Sequence, residues 1–144
     1  VLVTGPTGTG KTYLACALAH AACRAGYRAV YCYGPRLFRD LTLAHADGSL
    51  GKLLKRLAKA DLLVLDDWGI AKLDHQGYRD FLEILDDRQG HGSALITSQF
   101  PVDSWHETIA DPTVADAILD RLIHNAHRLE LKGESIRRRK AKSG

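Results

Sequence analysis

The chain has 144 residues, 45% hydrophobic and 26% charged, which suits one globular domain with a substantial core. No apolar run approaches the roughly 20 residues that a membrane-spanning helix needs, and no signal-peptide pattern opens the chain, so no membrane partner is expected. The net charge of +3 hides an asymmetry: residues 1–131 hold 14 Lys and Arg against 16 Asp and Glu, while the stretch from Lys132 onward holds 6 against 1, a basic end suited to phosphate.

The opening VLVT reads as a short buried strand and runs straight into GPTGTGKT, Gly5 to Thr12. A strand-to-helix loop needs one glycine at most, so the surplus implies that something approaches the backbone closely. Gly5, Gly10, Lys11 and Thr12 fit the spacing G-x-x-x-x-G-K-[ST]. A polyphosphate needs many donors and little steric bulk. Glycines let consecutive N–H groups turn inward as an anion nest, and the following helix adds the positive end of its dipole. Lys11 can reach the β- and γ-phosphates, and the Thr12 hydroxyl can bind Mg²⁺. The expected binding set is Gly5, Pro6, Thr7, Gly8, Thr9, Gly10, Lys11, Thr12 and Tyr13.

Thr12 to Arg24 reads as a helix that Gly26 ends. Arg28 to Tyr33 is β-prone. Pro35 to Ala46 and Leu50 to Ala60 look helical and are split at DGS. In the second of these, Lys52, Lys55, Arg56 and Lys59 fall on one face and Leu50, Leu53, Leu54 and Leu57 on the opposite one. LLVLDD, Leu62 to Asp67, is a buried strand that ends in two carboxylates. Ligands of an open parallel sheet bind beyond the C-terminal ends of its strands. Asp66 is therefore expected to hold Mg²⁺, directly or through water, and Asp67 to orient or deprotonate an attacking water. Asp74 to Gln89 reads as a helix, Ala94 to Ser98 as a buried strand, Pro101 to Thr108 as a helical turn, Pro112 to Asn125 as a helix and HRLEL as a last strand. Strands alternating with helices predict an α/β fold: a parallel five-stranded sheet flanked by helices on both faces, in three layers.

Cys16, Cys23 and Cys32 are too few and too irregular for a disulfide framework or a zinc site, and read as buried free thiols in a reducing compartment. His124 and His127 could share a helix face, but no carboxylate or cysteine completes a metal set with them.

The strings GPTGTGKT, LLVLDDWG, LITSQFPVDSWH and ADAILDRLIHNAHRLELKGESIR resemble those of the IstB-like transposition helper ATPases. These belong to the AAA+ superfamily and are kin to the DnaC-type helicase loaders and the DnaA initiators. The resemblance covers essentially the whole chain. Its first string is shared by many NTPases, whereas TSQFPVDSWH and DRLIHNAHRLELKGES are much more specific. It implies a P-loop NTPase of AAA+ type, with ATP and Mg²⁺ as cofactors. It implies that a polar residue ending the strand between the two nucleotide-binding strands senses the γ-phosphate; Thr97, Ser98 and Gln99 lie there, and Gln99 matches the usual asparagine best. Arg121 of LDRL matches the arginine finger that reaches a neighbouring subunit's site, a device that supplies roughly 10³- to 10⁵-fold in rate in other NTPases. Arg137 of GESIR matches the second sensor arginine. The expected catalytic set is thus Lys11, Asp67, Gln99, Arg121 and Arg137.

The same resemblance implies an ATP-hydrolysing protein that self-assembles on double-stranded DNA and assists a transposase, cytoplasmic and nucleoid-associated when on DNA. A DnaC-like loader whose partner is a replicative helicase is the alternative, and a P-loop kinase is a rival from another class. The basic helix follows the second strand, where the initiator clade carries an insertion that contacts nucleic acid. Lys52, Lys55, Arg56 and Lys59 are therefore expected on DNA phosphates, with Arg36 and Arg39 as helpers. Because the chain starts with Val1 and a strand, residues 1–144 are expected to be an AAA+ core lacking an N-terminal region, with 133–144 a basic tail. One departure stands out. Asp67 occupies a position where most AAA+ proteins have glutamate, one methylene longer. A 1 Å misplacement can cost on the order of 10²-fold in rate, so slow hydrolysis, with ATP acting mainly as an assembly switch, is expected.

Overall fold

The computed structural model describes residues 1–69, 73–109, 111–124 and 126–132. Five strands, β1 (Leu2–Thr4), β2 (Ala29–Tyr33), β3 (Leu62–Asp66), β4 (Ser93–Ser98) and β5 (Arg128–Glu130), form one sheet in the order β2-β3-β4-β1-β5. Every pairing is parallel. β1 sits beside β4, and β4 beside β3, so the segments that leave the C-terminal ends of these three strands converge at one edge of the sheet. The unbroken apolar runs of β1, β3 and β4 follow from burial on both faces.

Helix α1 (Lys11–Arg24) covers one face, where Ala15 meets Val3, Val64 and Leu95. The other face carries α2 (Gly34–Asp47), α3 (Leu50–Ala58), α4 (His75–Asp87), a 3-10 turn at Val102–Ser104 leading into α5 (Trp105–Thr108), and α6 (Pro112–Ile123). Their apolar stripes bury Leu2, Leu63, Leu65 and Ile96 of the sheet together with Leu41, Phe81, Trp105 and Ile118. The three-layer α/β/α arrangement expected from the alternation is the one observed. Asp74 caps α4 by accepting from the Gly77 N–H at 2.7 Å, and Asp111 caps α6 by accepting from the Thr113 N–H at 2.9 Å, with Pro112 opening the helix.

Some expectations shift. The helix read as Leu50 to Ala60 stops at Ala58, with Lys59 as its cap. The helix read to Asn125 stops at Ile123, and Asn125 lies outside the described residues. The cysteine reading needs correction: Cys32 is buried, but Cys16 and Cys23 are exposed. Both sit on α1, where the buried residues are Lys11 and Ala15. A helix that meets the sheet along one stripe leaves its other sides to solvent, however apolar its sequence.

Two features brace the parts that matter for the site. Trp68 directly follows the paired carboxylates and is buried; its ring centroid lies 4.6 Å from that of Trp105 and 5.6 Å from that of Phe81, which anchors the turn after β3. Arg88 is buried at the end of α4 and donates to the carbonyls of Leu57 at 2.9 Å, Ala60 at 2.8 Å and Ser93 at 2.7 Å. Its charge is met by the carbonyls that close α3, the favourable end of a helix dipole for a cation. Among the described residues no helix is long and apolar enough to cross a membrane.

Candidate functional site

The segment from Gly5 to Gly10 joins the C-terminal end of β1 to the first turn of α1. A Cβ on Gly5 would stand 2.5 Å from the carbonyl oxygen of Leu131, whose N–H donates to Thr4 O at 2.7 Å. One of the surplus glycines therefore answers to the chain's own backbone beyond β5 rather than to a ligand. Gly8 and Gly10 have φ of 84° and 93°, left-handed values that curl the loop over the start of α1 at little steric cost. Gly10 is the N-cap and offers no side-chain acceptor, so the N–H groups of the first turn stay free for an anion. Lys11 is only 6% exposed and its Nζ donates to Pro6 O at 2.9 Å, folding the ammonium over the loop. Burial lowers its pKa below the ordinary lysine value, against the opposing charges of Asp67 and Asp66. Thr9 Oγ1 donates to Pro6 O at 2.8 Å, and Tyr13, 82% exposed, stands at the mouth.

Asp66 ends β3 beneath this loop and is 1% exposed. Hydroxyls from three elements converge on it. Thr12 of α1 donates at 2.9 and 3.2 Å, Tyr31 of β2 at 2.6 Å, and Thr97 of β4 through a short bond to Oδ1. Among the described residues no lysine or arginine forms an ion pair with it. A buried carboxylate compensated by neutral hydroxyls alone is an expensive arrangement. With the Thr12 hydroxyl alongside, it is the all-oxygen donor set that a hard divalent cation takes, and it fits Mg²⁺.

Asp67 adopts φ 59°, left-handed backbone in a non-glycine residue, a strain of about 1–2 kcal/mol. Its N–H donates to Thr97 Oγ1 at 2.9 Å, and the Trp68 N–H to Thr97 O at 2.8 Å. The bend at Asp67 separates the two carboxylates, one turned into the fold and one left half-buried beside it. Burial raises the Asp67 pKa, the Asp66 charge raises it further, and Lys11 opposes both. A carboxylate raised in this way is a better proton acceptor near neutral pH.

The three candidate sensors separate cleanly. Thr97 and Ser98 are fully buried. Thr97 holds Asp66 and the Asp67 N–H, while Ser98 Oγ donates to Trp68 O at 2.8 Å and accepts from the Phe100 N–H at 3.1 Å. Gln99 is the one that reaches the loop, accepting from the Thr7 hydroxyl at 2.8 Å. Tyr31 escaped the sequence reading. It comes from an edge strand, and nothing in RAVYCY says which strand lies beside β3. Burial first, then its hydrogen bond to Asp66 and that carboxylate's charge, hold its phenol above the ordinary tyrosine range, so it remains a donor.

Other expected residues lie elsewhere. Arg121 donates to the Asp86 carboxylate and to Ala117 O. It borders a hollow with Val1, Leu62 and Ser93, at the N-terminal ends of the strands and so opposite the loop; it is not brought to this chain's own site. Lys52, Lys55, Arg56 and Lys59 are all exposed, while Leu57 beneath them is buried. Lys52 and Arg56 share a groove with Asp40 and Asp47 of α2, which tempers their field. Arg36 and Arg39 are exposed on α2. Arg137 and the tail 133–144 lie outside the described residues.

Comparison with known proteins bears on this geometry. The profile of the family described as IstB-like ATP binding protein matches residues 1–144. The chain is 55% identical over 136 residues to a protein of Sinorhizobium fredii named as an insertion sequence ATP-binding protein, covering 94% of this chain and 56% of that one. It is 37% identical over 145 residues to an insertion sequence IS21 ATP-binding protein of Pseudomonas aeruginosa, covering 100% of this chain and 55% of that one. The chain thus spans just over half the length of these relatives. In fold it is similar to DnaI, with a TM-score of 0.81, 26% identity and coverage of 92% of this chain and 72% of that one. AMPPCP-bound DnaA from Aquifex aeolicus gives a TM-score of 0.78 at 19% identity, with coverage of 99% and 45%.

Proposed function

The chain belongs to the IstB-like ATP-binding protein family, and from that premise we propose that it binds and hydrolyses ATP, assembles with copies of itself on double-stranded DNA in the ATP state, and acts there with a transposase. The observation that carries the nucleotide chemistry is the Asp66 carboxylate, 1% exposed and without an ion pair among the described residues, held under the Thr12 hydroxyl. Thr12 and Asp66 would hold Mg²⁺, which when bound would offset the negative charge of the phosphates. The open N–H groups of the loop and of the first turn of α1 cradle the phosphates, and Lys11 trades its bond to Pro6 for one to the β- and γ-phosphoryl oxygens. Asp67 accepts a proton from water as the water oxygen bonds to the γ-phosphorus and the bridging bond to ADP breaks. Gln99, which accepts from the Thr7 hydroxyl of the loop, registers the γ-phosphate.

Arg121, at the other end of the sheet, serves a neighbouring copy's nucleotide rather than its own, which makes hydrolysis depend on assembly. The exposed cations of α3, on a helix whose end is clamped by Arg88, meet DNA phosphates without reading bases. Identity of 55% to an insertion sequence protein, against 26% to DnaI, favours this reading over the helicase-loader alternative.

Sizing the protein with duplex DNA in ATP, in ADP and without nucleotide tests this reading. A large complex in ATP alone is expected. The same size in all three states, or assembly in ADP equal to that in ATP, contradicts it.

A further inference from the structure

Asp66 has more hydroxyl partners than its proposed chemistry requires. Thr12 would share the metal with it, so that contact belongs to the site itself. Thr97, from β4, is fully buried and serves both Asp66 and the Asp67 N–H, which makes it part of the frame on which both carboxylates stand. Tyr31 is different. It lies on the edge strand, 47% exposed, and its hydroxyl donates to Asp66 Oδ2 at 2.6 Å, the length of a charge-assisted O–H···O⁻ bond.

The bond is not a by-product of strand pairing. In the β2–β3 ladder Tyr31 stands opposite Val64, and Tyr33 is the register partner of Asp66. Val64 and Asp66 share one face of β3, the face toward α1. The phenol therefore leans one step along that face to reach the carboxylate, a span only a long side chain covers. Val30 and Cys32, which alternate with it, turn to the opposite face and join the core under α2. Tyr31 and Thr97 grip the two oxygens of Asp66 from the two flanking strands, Tyr31 on Oδ2 and Thr97 on Oδ1. Each carboxylate oxygen accepts more than one bond, so both grips leave acceptor capacity turned toward Thr12 and the loop.

We propose that Tyr31 is a positioning residue for the metal-binding carboxylate: its hydroxyl fixes the rotation of Asp66 so that the free lone pairs meet the divalent cation that accompanies the nucleotide. Outer partners of this kind orient metal ligands and set their affinity. The inference rests on the nucleotide and metal reading given above, and adds to it a residue from a strand that carries no phosphate-binding motif.

The probe is Mn²⁺, followed by its electron paramagnetic resonance signal as it is titrated onto the protein with a non-hydrolysable ATP analogue. Wild type, Tyr31→Phe and Asp66→Asn are compared. In Tyr31→Phe the Mn²⁺ Kd rises roughly tenfold, the low end of the range for such partners. Affinity for the analogue in EDTA stays at the wild-type value, because the phosphates rest on the loop and Lys11; the melting temperature falls by a few degrees, since a charge-assisted bond to a buried carboxylate is lost. A Mn²⁺ Kd in Tyr31→Phe equal to or below that of wild type overturns the role of Tyr31. If wild type takes up no Mn²⁺ with the analogue, or Asp66→Asn takes up as much, the metal reading itself fails and the role of Tyr31 falls with it.

Discussion

Replacing Lys11 with alanine abolishes ATP binding at concentrations that saturate the wild type. The ammonium is buried over the loop and, among the described residues, its one hydrogen bond is to Pro6 O at 2.9 Å, a weak partner that a phosphate displaces. Truncating one member of a desolvated, hydrogen-bonded charge pair costs about 3–4 kcal/mol, or roughly 10²- to 10³-fold in Kd. Calorimetric titration of ATP in Mg²⁺ measures it. The fold barely responds, since among the described residues a single contact to a loop carbonyl is lost and no ion pair is broken. ATP-dependent assembly disappears together with binding. If Lys11→Ala assembled on DNA as wild type does, ATP would not be the switch.

Asp67→Asn carries the second large effect, and it separates hydrolysis from stability. Losing the proton acceptor lowers the hydrolysis rate by roughly 10²- to 10⁴-fold, while ATP binding, which rests on Lys11, Thr12 and Asp66, survives. Stability moves the other way. The pKa of Asp67 is raised in the folded protein by burial and by Asp66, so the folded state holds that proton more tightly than the unfolded chain does. Ionisation of Asp67 therefore opposes folding. The penalty is absent below the ordinary carboxylate pKa of about 4, grows as pH rises to the raised value, and is complete above it. Asparagine has no charge to penalise and tolerates left-handed backbone about as well as aspartate. The melting temperature of Asp67→Asn thus exceeds that of wild type at neutral pH, and the gap closes on acidification. Melting curves across pH, alongside single-turnover hydrolysis, give both halves. A variant that hydrolyses ATP normally would remove Asp67 from the chemistry, and one less stable than wild type at neutral pH would remove the charge penalty.

The parts of the site legible in the sequence are those encoded by neighbours in the chain. The run from Gly5 to Thr12 specifies a loop, a dipole and a hydroxyl within eight positions. Asp66 and Asp67 stand out because they end an apolar run that only a buried strand explains. Even there the reading was incomplete: the surplus glycine at Gly5 makes room for the carbonyl of Leu131, a contact between residues at opposite ends of the described chain. Strand order is long-range information: the resemblance puts β4 between β1 and β3, as observed, but nothing in the sequence places β2, and with it Tyr31 is missed, which reaches Asp66 only because β2 lies beside β3. Among Thr97, Ser98 and Gln99 the resemblance points to Gln99 by residue type, and packing adds what residue type lacks: Thr97 and Ser98 are buried in the fold while Gln99 meets Thr7. The exposed thiols of Cys16 and Cys23 mislead for a related reason, because composition does not reveal how many sides of α1 are covered.

The central claim is that one hollow, built from the loop after β1 and the carboxylates after β3, holds a nucleotide triphosphate together with its metal. A crystal structure of the protein with Mg²⁺ and a non-hydrolysable ATP analogue tests it most directly. The account predicts the β- and γ-phosphates against Lys11 Nζ and the N–H groups of the loop, with the metal between the Thr12 hydroxyl and Asp66. An analogue bound elsewhere, or phosphates in the loop with the metal remote from Asp66, would contradict it.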